Sequence, residues 1–213
     1  MEQRQRRTQA ERVDQTRAAL LDATIELLAE VGYAATTTRE VAVRAGVSRG
    51  AQTHHFPAKS DLVAAAIDHL FAAQADAFRQ AFDAVPPGRR TLATAIDILW
   101  DIVRGQTFAA VLEVYVAART DDELRVVVEA LAISLESTIR GIFVELFPGI
   151  AGDERVASVL GDVAFSLLQG AALSSHAGFG DPERTIRLLK SAASLITPAT
   201  MPLVHGAIDA LDP

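Results

Sequence analysis

The chain has 213 residues, half of them hydrophobic and only 6% aromatic, with a formal net charge of −7 and no cysteine. That length is ample for one large or two modest domains with a core, and the lack of cysteine excludes disulfides, thiolate metal sites and cysteine nucleophiles from this sequence. Alanine, leucine, valine and isoleucine dominate with few strand-like alternations, which points to an all-α protein.

The charge is polarised along the chain. Residues 1–60 hold nine basic and seven acidic residues, a surplus of two positive charges, so the remainder carries −9. This suits a nucleic-acid-binding head on an acidic body, because phosphate contacts supply most sequence-independent affinity. The first segment, MEQRQRRTQAER, is basic and polar and has no apolar run behind it to act as a signal sequence. The longest uncharged stretch, 163–180, contains Ser166, Gln169, Ser174, Ser175, His176 and three glycines, which fits a packed helix and loop better than a bilayer span. The expectation is a soluble, cytoplasmic protein without a membrane partner.

In chain order, Arg4, Arg6 and Arg7 form a basic cluster able to touch phosphates or a minor groove. A first helix is expected from about Thr8 to Val31, with Leu21, Ile25 and Leu28 in one apolar row, Leu20, Leu27 and Val31 in the next, and Gly32 as its end. Thr37 with Glu40 three residues on forms a capping box for a short helix over 38–45, whose inner face is Val41, Ala42 and Ala45. Gly46 ends that helix, Val47 anchors the turn, and Ser48 caps the next helix, 49–55. Two short helices about a glycine-containing turn make a helix-turn-helix. On the second of them Arg49, Gly50, Thr53 and His54 share one face, while Ala51, Gln52, His55 and Phe56 lie nearer the other. A fork donor, a hydroxyl and an imidazole on one helix face can hydrogen-bond base edges and phosphates in a major groove.

The run from Arg17 to Val63 resembles the N-terminal domain of TetR-type (tetracycline-repressor-like) transcriptional regulators. The resemblance rests on Glu30-Val31-Gly32-Tyr33, Thr36-Thr37, Glu40-Val41-Ala42, Ala45-Gly46-Val47-Ser48 and His55-Phe56-Pro57 followed by Lys59. It implies a head that binds a double-stranded DNA operator. The division expected is a DNA-binding domain over 1–57 and a helical ligand-binding and dimerisation domain over 58–213, joined by a long helix. Arg49 is the expected base reader, with Arg39 and His54 beside it, and Gly50 shares that face. Thr37, Thr38, Ser48, Thr53, His55 and Lys59 are expected to position the phosphate backbone. The family usually has Leu-Tyr where this chain has Gln52-Thr53. Gln52 would then point inward and need hydrogen-bond partners, and Thr53 keeps a hydroxyl but loses the tyrosine's reach.

A fourth helix is expected over 58–83, with Val63, Ile67, Leu70, Phe71, Gln74, Phe78 and Phe82 along one face. Lys59 sits in its first turn, where the free backbone donors favour a phosphate. Ala84-Val85-Pro86-Pro87-Gly88 is the clearest break, and further helices are expected at about 90–104, 106–119, 122–147, 153–176 and 182–197, with a short last turn near 203–211. The run Asp121, Asp122, Glu123 reads as helix-start acids that complement the dipole.

The helices at about 153–176 and 182–197 carry apolar rows too wide for one neighbour: Val156, Leu160, Val163 and Leu167; Phe165, Leu168 and Ala172; Ile186, Leu189, Ala193 and Ile196. A two-fold four-helix interface would bury the excess and make a homodimer. The resemblance implies the same pairing, and it implies a pocket in the body for a small effector. Candidate lining groups are those that are large or polar on otherwise apolar helices: Trp100, Phe108, Tyr115, Arg119, Phe143, Phe147, Phe165, Gln169 and His176.

None of the five histidines follows an acidic residue at three positions, and no HExxH, G-x-S-x-G or phosphate-loop pattern occurs. The sequence therefore reads as a non-enzyme without cofactor or metal. The expected function is ligand-responsive repression from a pseudo-palindromic operator, the alternatives being an activator or a ligand-independent DNA binder of the same fold.

Overall fold

The structure, a computed structural model, describes residues 9–150 and 154–210, and every regular element among them is helical. The Arg4, Arg6 and Arg7 cluster lies outside the described residues. Among the described residues ten α-helices follow one another: α1 (Gln9–Ala35), α2 (Thr38–Arg44), α3 (Arg49–His55), α4 (Lys59–Asp83), α5 (Leu92–Val103), α6 (Gln106–Ala118), α7 (Asp122–Leu146), α8 (Glu154–Ala177), α9 (Pro182–Ser194) and α10 (Met201–Asp209), with a 3₁₀ turn at Pro87–Arg89.

Packing divides the chain into two compact units, Met1–Leu70 with Ala109–Leu131 and Phe71–Phe108 with Ala132–Pro213. This differs from a boundary drawn at residues 57 and 58. Leu62, Val63 and Ile67 of α4, and Val111 and Leu124 beyond, are fully buried with the N-terminal helices, so burial rather than chain order sets the unit.

In the first unit Leu20, Leu21 and Leu28 of α1 and Val41 of α2 form the apolar centre, each at most 1% exposed. α1 does not simply stop at Gly32. The chain kinks there at φ 77°, ψ 172°, a region populated essentially by glycine, and turns on to Ala35. The buried hydroxyl of Thr36 donates to the Gly32 carbonyl at 2.8 Å, so the kink leaves that acceptor paired.

In the second unit Phe78 and Phe82 of α4, Ala95 of α5 and Ile142 of α7 form one core cluster, flanked by Leu99, Ile102, Leu146 and Phe147. α5, α8 and α9 pack on one another, and α10 lies on α8. The Trp100 indole donates to Glu183 Oε1 at 3.1 Å, and Lys190 pairs with Asp97 at 2.6 Å, both between α5 and α9. Val156, Met201 and Ile208 hold α10, which begins two residues before the expected last turn. By length and composition α8 is apolar enough to cross a membrane. Here its Leu168, Ala171 and Ala172 are buried among the neighbouring helices.

Candidate nucleic-acid interface and body cavity

Local chemistry fixes α2 and α3. Thr37 Oγ1 accepts from the Glu40 N–H at 3.2 Å, and Glu40 Oε2 accepts from the Thr37 N–H at 3.2 Å, which closes the capping box. Gly46 adopts φ 68°, so the Val47 N–H can reach back to the Ala42 carbonyl at 3.0 Å. Ser48 Oγ accepts from the Ala51 N–H at 3.2 Å and starts α3.

The two faces of α3 separate as the helical period requires. Arg49, Gly50, Thr53 and His54 are exposed, Ala51 and His55 half-buried, and Gln52 and Phe56 buried. Gln52 resolves the polarity problem of its inward position. Its Nε2 donates to the Phe56 carbonyl at 2.8 Å, while the Phe56 N–H donates to the Gln52 carbonyl at 2.8 Å. The amide thus closes the C-terminal end of α3, where helix carbonyls otherwise lack partners. The Thr53 hydroxyl leans on Gln52 Oε1 at 3.5 Å. Arg39 and Arg49 are exposed and have no hydrogen-bond or ion-pair partner among the described residues. Arg44, by contrast, is turned back onto α1, where it meets Glu30 at 2.7 Å and Glu26 at 3.7 Å and holds the Glu30 carboxyl below its usual range.

Lys59 does not stand with that exposed face. Its Nζ donates to the Tyr33 carbonyl at 2.6 Å and lies 3.8 Å from the Tyr33 ring centre. Burial lowers its pKa from the ordinary lysine value, with Asp121 acting in the opposite sense. The Tyr33 hydroxyl in turn donates to Asp121 Oδ2 at 3.4 Å, and burial, followed by Asp121, raises its pKa. Asp121 Oδ1 accepts from the Leu124 N–H at 3.0 Å and so starts α7. Lys59→Met is accordingly expected to lower stability by about 1 kcal/mol and to leave the salt slope of DNA binding unchanged. A shallower slope would place the ammonium on a phosphate instead.

The second unit holds a partly open cavity of about 240 Å³ between α4, α5, α7, α8 and α9. Its wall is aliphatic and aromatic, with Phe71, Phe78, Phe143, Phe147 and Phe165 contributing rings. Two polar side chains reach it, Gln74 and Thr138, and none of the lining residues is ionisable. The Thr138 hydroxyl donates to the Ser134 carbonyl at 3.0 Å. Gln74 Nε2 is fully buried with no hydrogen-bond partner.

Comparison with known proteins follows this division. The sequence model for bacterial regulatory proteins of the tetR family matches residues 20–66. Over these residues the chain is similar to the N-terminal domain of bacterial regulatory proteins of the tetR family. An uncharacterized HTH-type transcriptional regulator of Mycobacterium tuberculosis is 40% identical over 119 residues, 56% of this chain and 61% of the relative. The chain therefore spans about three fifths of the length of the curated relatives it first matches. Among solved structures, a transcriptional regulator from Rhodococcus sp. Rha1 superposes with a TM-score of 0.64 at 24% identity, over 84% of this chain and 95% of that one. The multidrug binding protein EbrR, complexed with imidazole, gives 0.57 at 23% identity over 82% and 93%. At these identities the structures establish a shared fold.

The body residues expected from the sequence scatter. Phe143, Phe147 and Phe165 line the cavity, but Trp100, Phe108, Tyr115, Arg119, Gln169 and His176 do not. Trp100 is buried against Glu183, Phe108 is 1% exposed in the core, and Arg119 and His176 are exposed at helix ends. Size and polarity alone do not give helical phase, and phase decides which side chains meet. Gln74 went unassigned, although its signal was present: it is the lone polar residue in the α4 row of Leu70, Phe71, Phe78 and Phe82.

Proposed function

We propose that this chain is a transcriptional repressor that binds a pseudo-palindromic operator as a homodimer and is released when the body cavity takes up a small, largely apolar effector. The observation that carries the reading is the outer face of α3, where Arg49, Gly50, Thr53 and His54 stand exposed while Gln52 and Phe56 hold the opposite face rigid. Arg49 reads base edges, aided by Arg39 and His54. Thr37, Thr38, Ser48, Thr53 and His55 set the register on the backbone. The HTH-type relative supports transcriptional regulation, and the imidazole complex of the multidrug binding protein EbrR supports a body that takes up a small molecule. Such a protein acts in the cytoplasm, on the chromosome.

Pairing through α8 and α9 is part of the proposal, on a narrower surface than the sequence rows describe. Val156, Leu168, Ala172, Ile186 and Ala193 are buried within the protomer itself. The apolar groups left for a partner are Val163 (53% exposed), Leu167, Leu173, Phe179, Leu188 (62%) and Leu195 (72%). Random-sequence selection tests the whole reading. The expected product is an inverted repeat with half-site centres about one helical turn or a multiple apart, bound by two protomers. Recovery of an unrepeated site held by one protomer, or of no enriched sequence, would overturn it.

A further inference from the structure

We propose that the cavity selects neutral, ring-bearing molecules with a single hydrogen-bond acceptor, such as an aryl ketone or ester, and that Gln74 is the residue that recognises the acceptor. This rests on the reading of the body as an effector site and adds the chemistry of its ligand. The wall supplies no ionisable side chain, so a carboxylate or an amine would enter without a counter-charge and lose its hydration unpaid. Of the two polar groups, Thr138 has its proton committed to Ser134 at 3.0 Å and can only accept. The donor left over is Gln74 Nε2, buried and unpartnered. A buried amide without a partner destabilises the unliganded protein, and a ligand oxygen placed against it removes that penalty. The five phenylalanine rings in the cavity wall favour a flat aromatic body. A cavity of roughly 150 Å³ already holds benzene, so about 240 Å³ accommodates one ring with several further heavy atoms.

The test is calorimetric titration of the full chain with three probes of similar size: acetophenone, ethylbenzene and benzoate at pH 7. Wild type is expected to bind acetophenone about tenfold more tightly than ethylbenzene and to show no heat with benzoate. In Gln74→Leu the preference should fall to within about twofold while ethylbenzene still binds, and the unfolding midpoint without ligand should equal or exceed that of wild type. Gln74→Met, which keeps the length of the side chain, serves as the second variant and should behave alike. Equal affinity of wild type for acetophenone and ethylbenzene, or a preference that survives both substitutions, would overturn the role of Gln74 and leave the effector reading standing. Binding of neither neutral probe would overturn the effector reading itself, and this inference with it.

Discussion

Phe82→Ala is expected to cost about 3–5 kcal/mol of stability, the range for truncating a fully buried aromatic residue. Phe82 is 1% exposed and stacks on Phe78 with ring centres 5.9 Å apart and planes 20° apart. It meets Phe147 edge-on at 5.5 Å, and the Arg90 guanidinium lies 5.9 Å from its ring centre. Removing the ring therefore opens a hole bounded by α4 and α7, where rigid helices cannot close in, so the cavity contribution adds to the lost transfer free energy. Urea unfolding should show a lower midpoint at an unchanged slope. Because Phe78 and Phe147 also line the cavity, weakened ligand binding should accompany the loss. A change below about 1 kcal/mol would mean that the two remaining rings collapse into the space, contrary to the packing described.

Arg49→Ala is expected to weaken operator binding by about 1–3 kcal/mol and to relax the preference at one base position per half-site. Arg49 is the first residue of α3, exposed, and without a partner among the described residues, so its guanidinium is available to a guanine edge. Its removal leaves the interior untouched, and the unfolding midpoint should not move. Competition titrations against single-base operator variants distinguish a reader from a phosphate contact. Equal loss on every sequence, with a salt slope lowered by about one, would assign Arg49 to the backbone.

The short elements of the head were legible because their signals are local. A capping pair at Thr37 and Glu40, a positive-φ glycine at 46 and a serine cap at 48 act within a few residues, and α3 begins and ends where these marks place it. The faces of α3 followed from the helical period alone. Lys59 was different. Its position in the first turn of α4 suggested a phosphate, but its ammonium is drawn onto Tyr33, a residue far off in sequence that only the tertiary fold brings near. The body showed the same limit. Helix positions were readable from glycine and proline punctuation. The cavity arises where several helices present faces to one space, and its one unpartnered donor, Gln74, is defined by the absence of neighbours that no single helix specifies. The apolar rows of α8 and α9 also divided in a way periodicity could not foresee, part closing the protomer and part left exposed.

The central claim, that α3 reads a specific DNA sequence, is tested most directly by fluorescence anisotropy of the full chain on the intergenic DNA beside its own gene, against scrambled DNA of equal length, over a salt series. The account predicts tight binding to the intergenic site with two protomers per site. Affinity should fall steeply with salt on both DNAs, and the preference over scrambled sequence should persist at each salt concentration. If random-sequence selection also yields no preferred site, affinity for the two DNAs that stays equal at every salt concentration would contradict it.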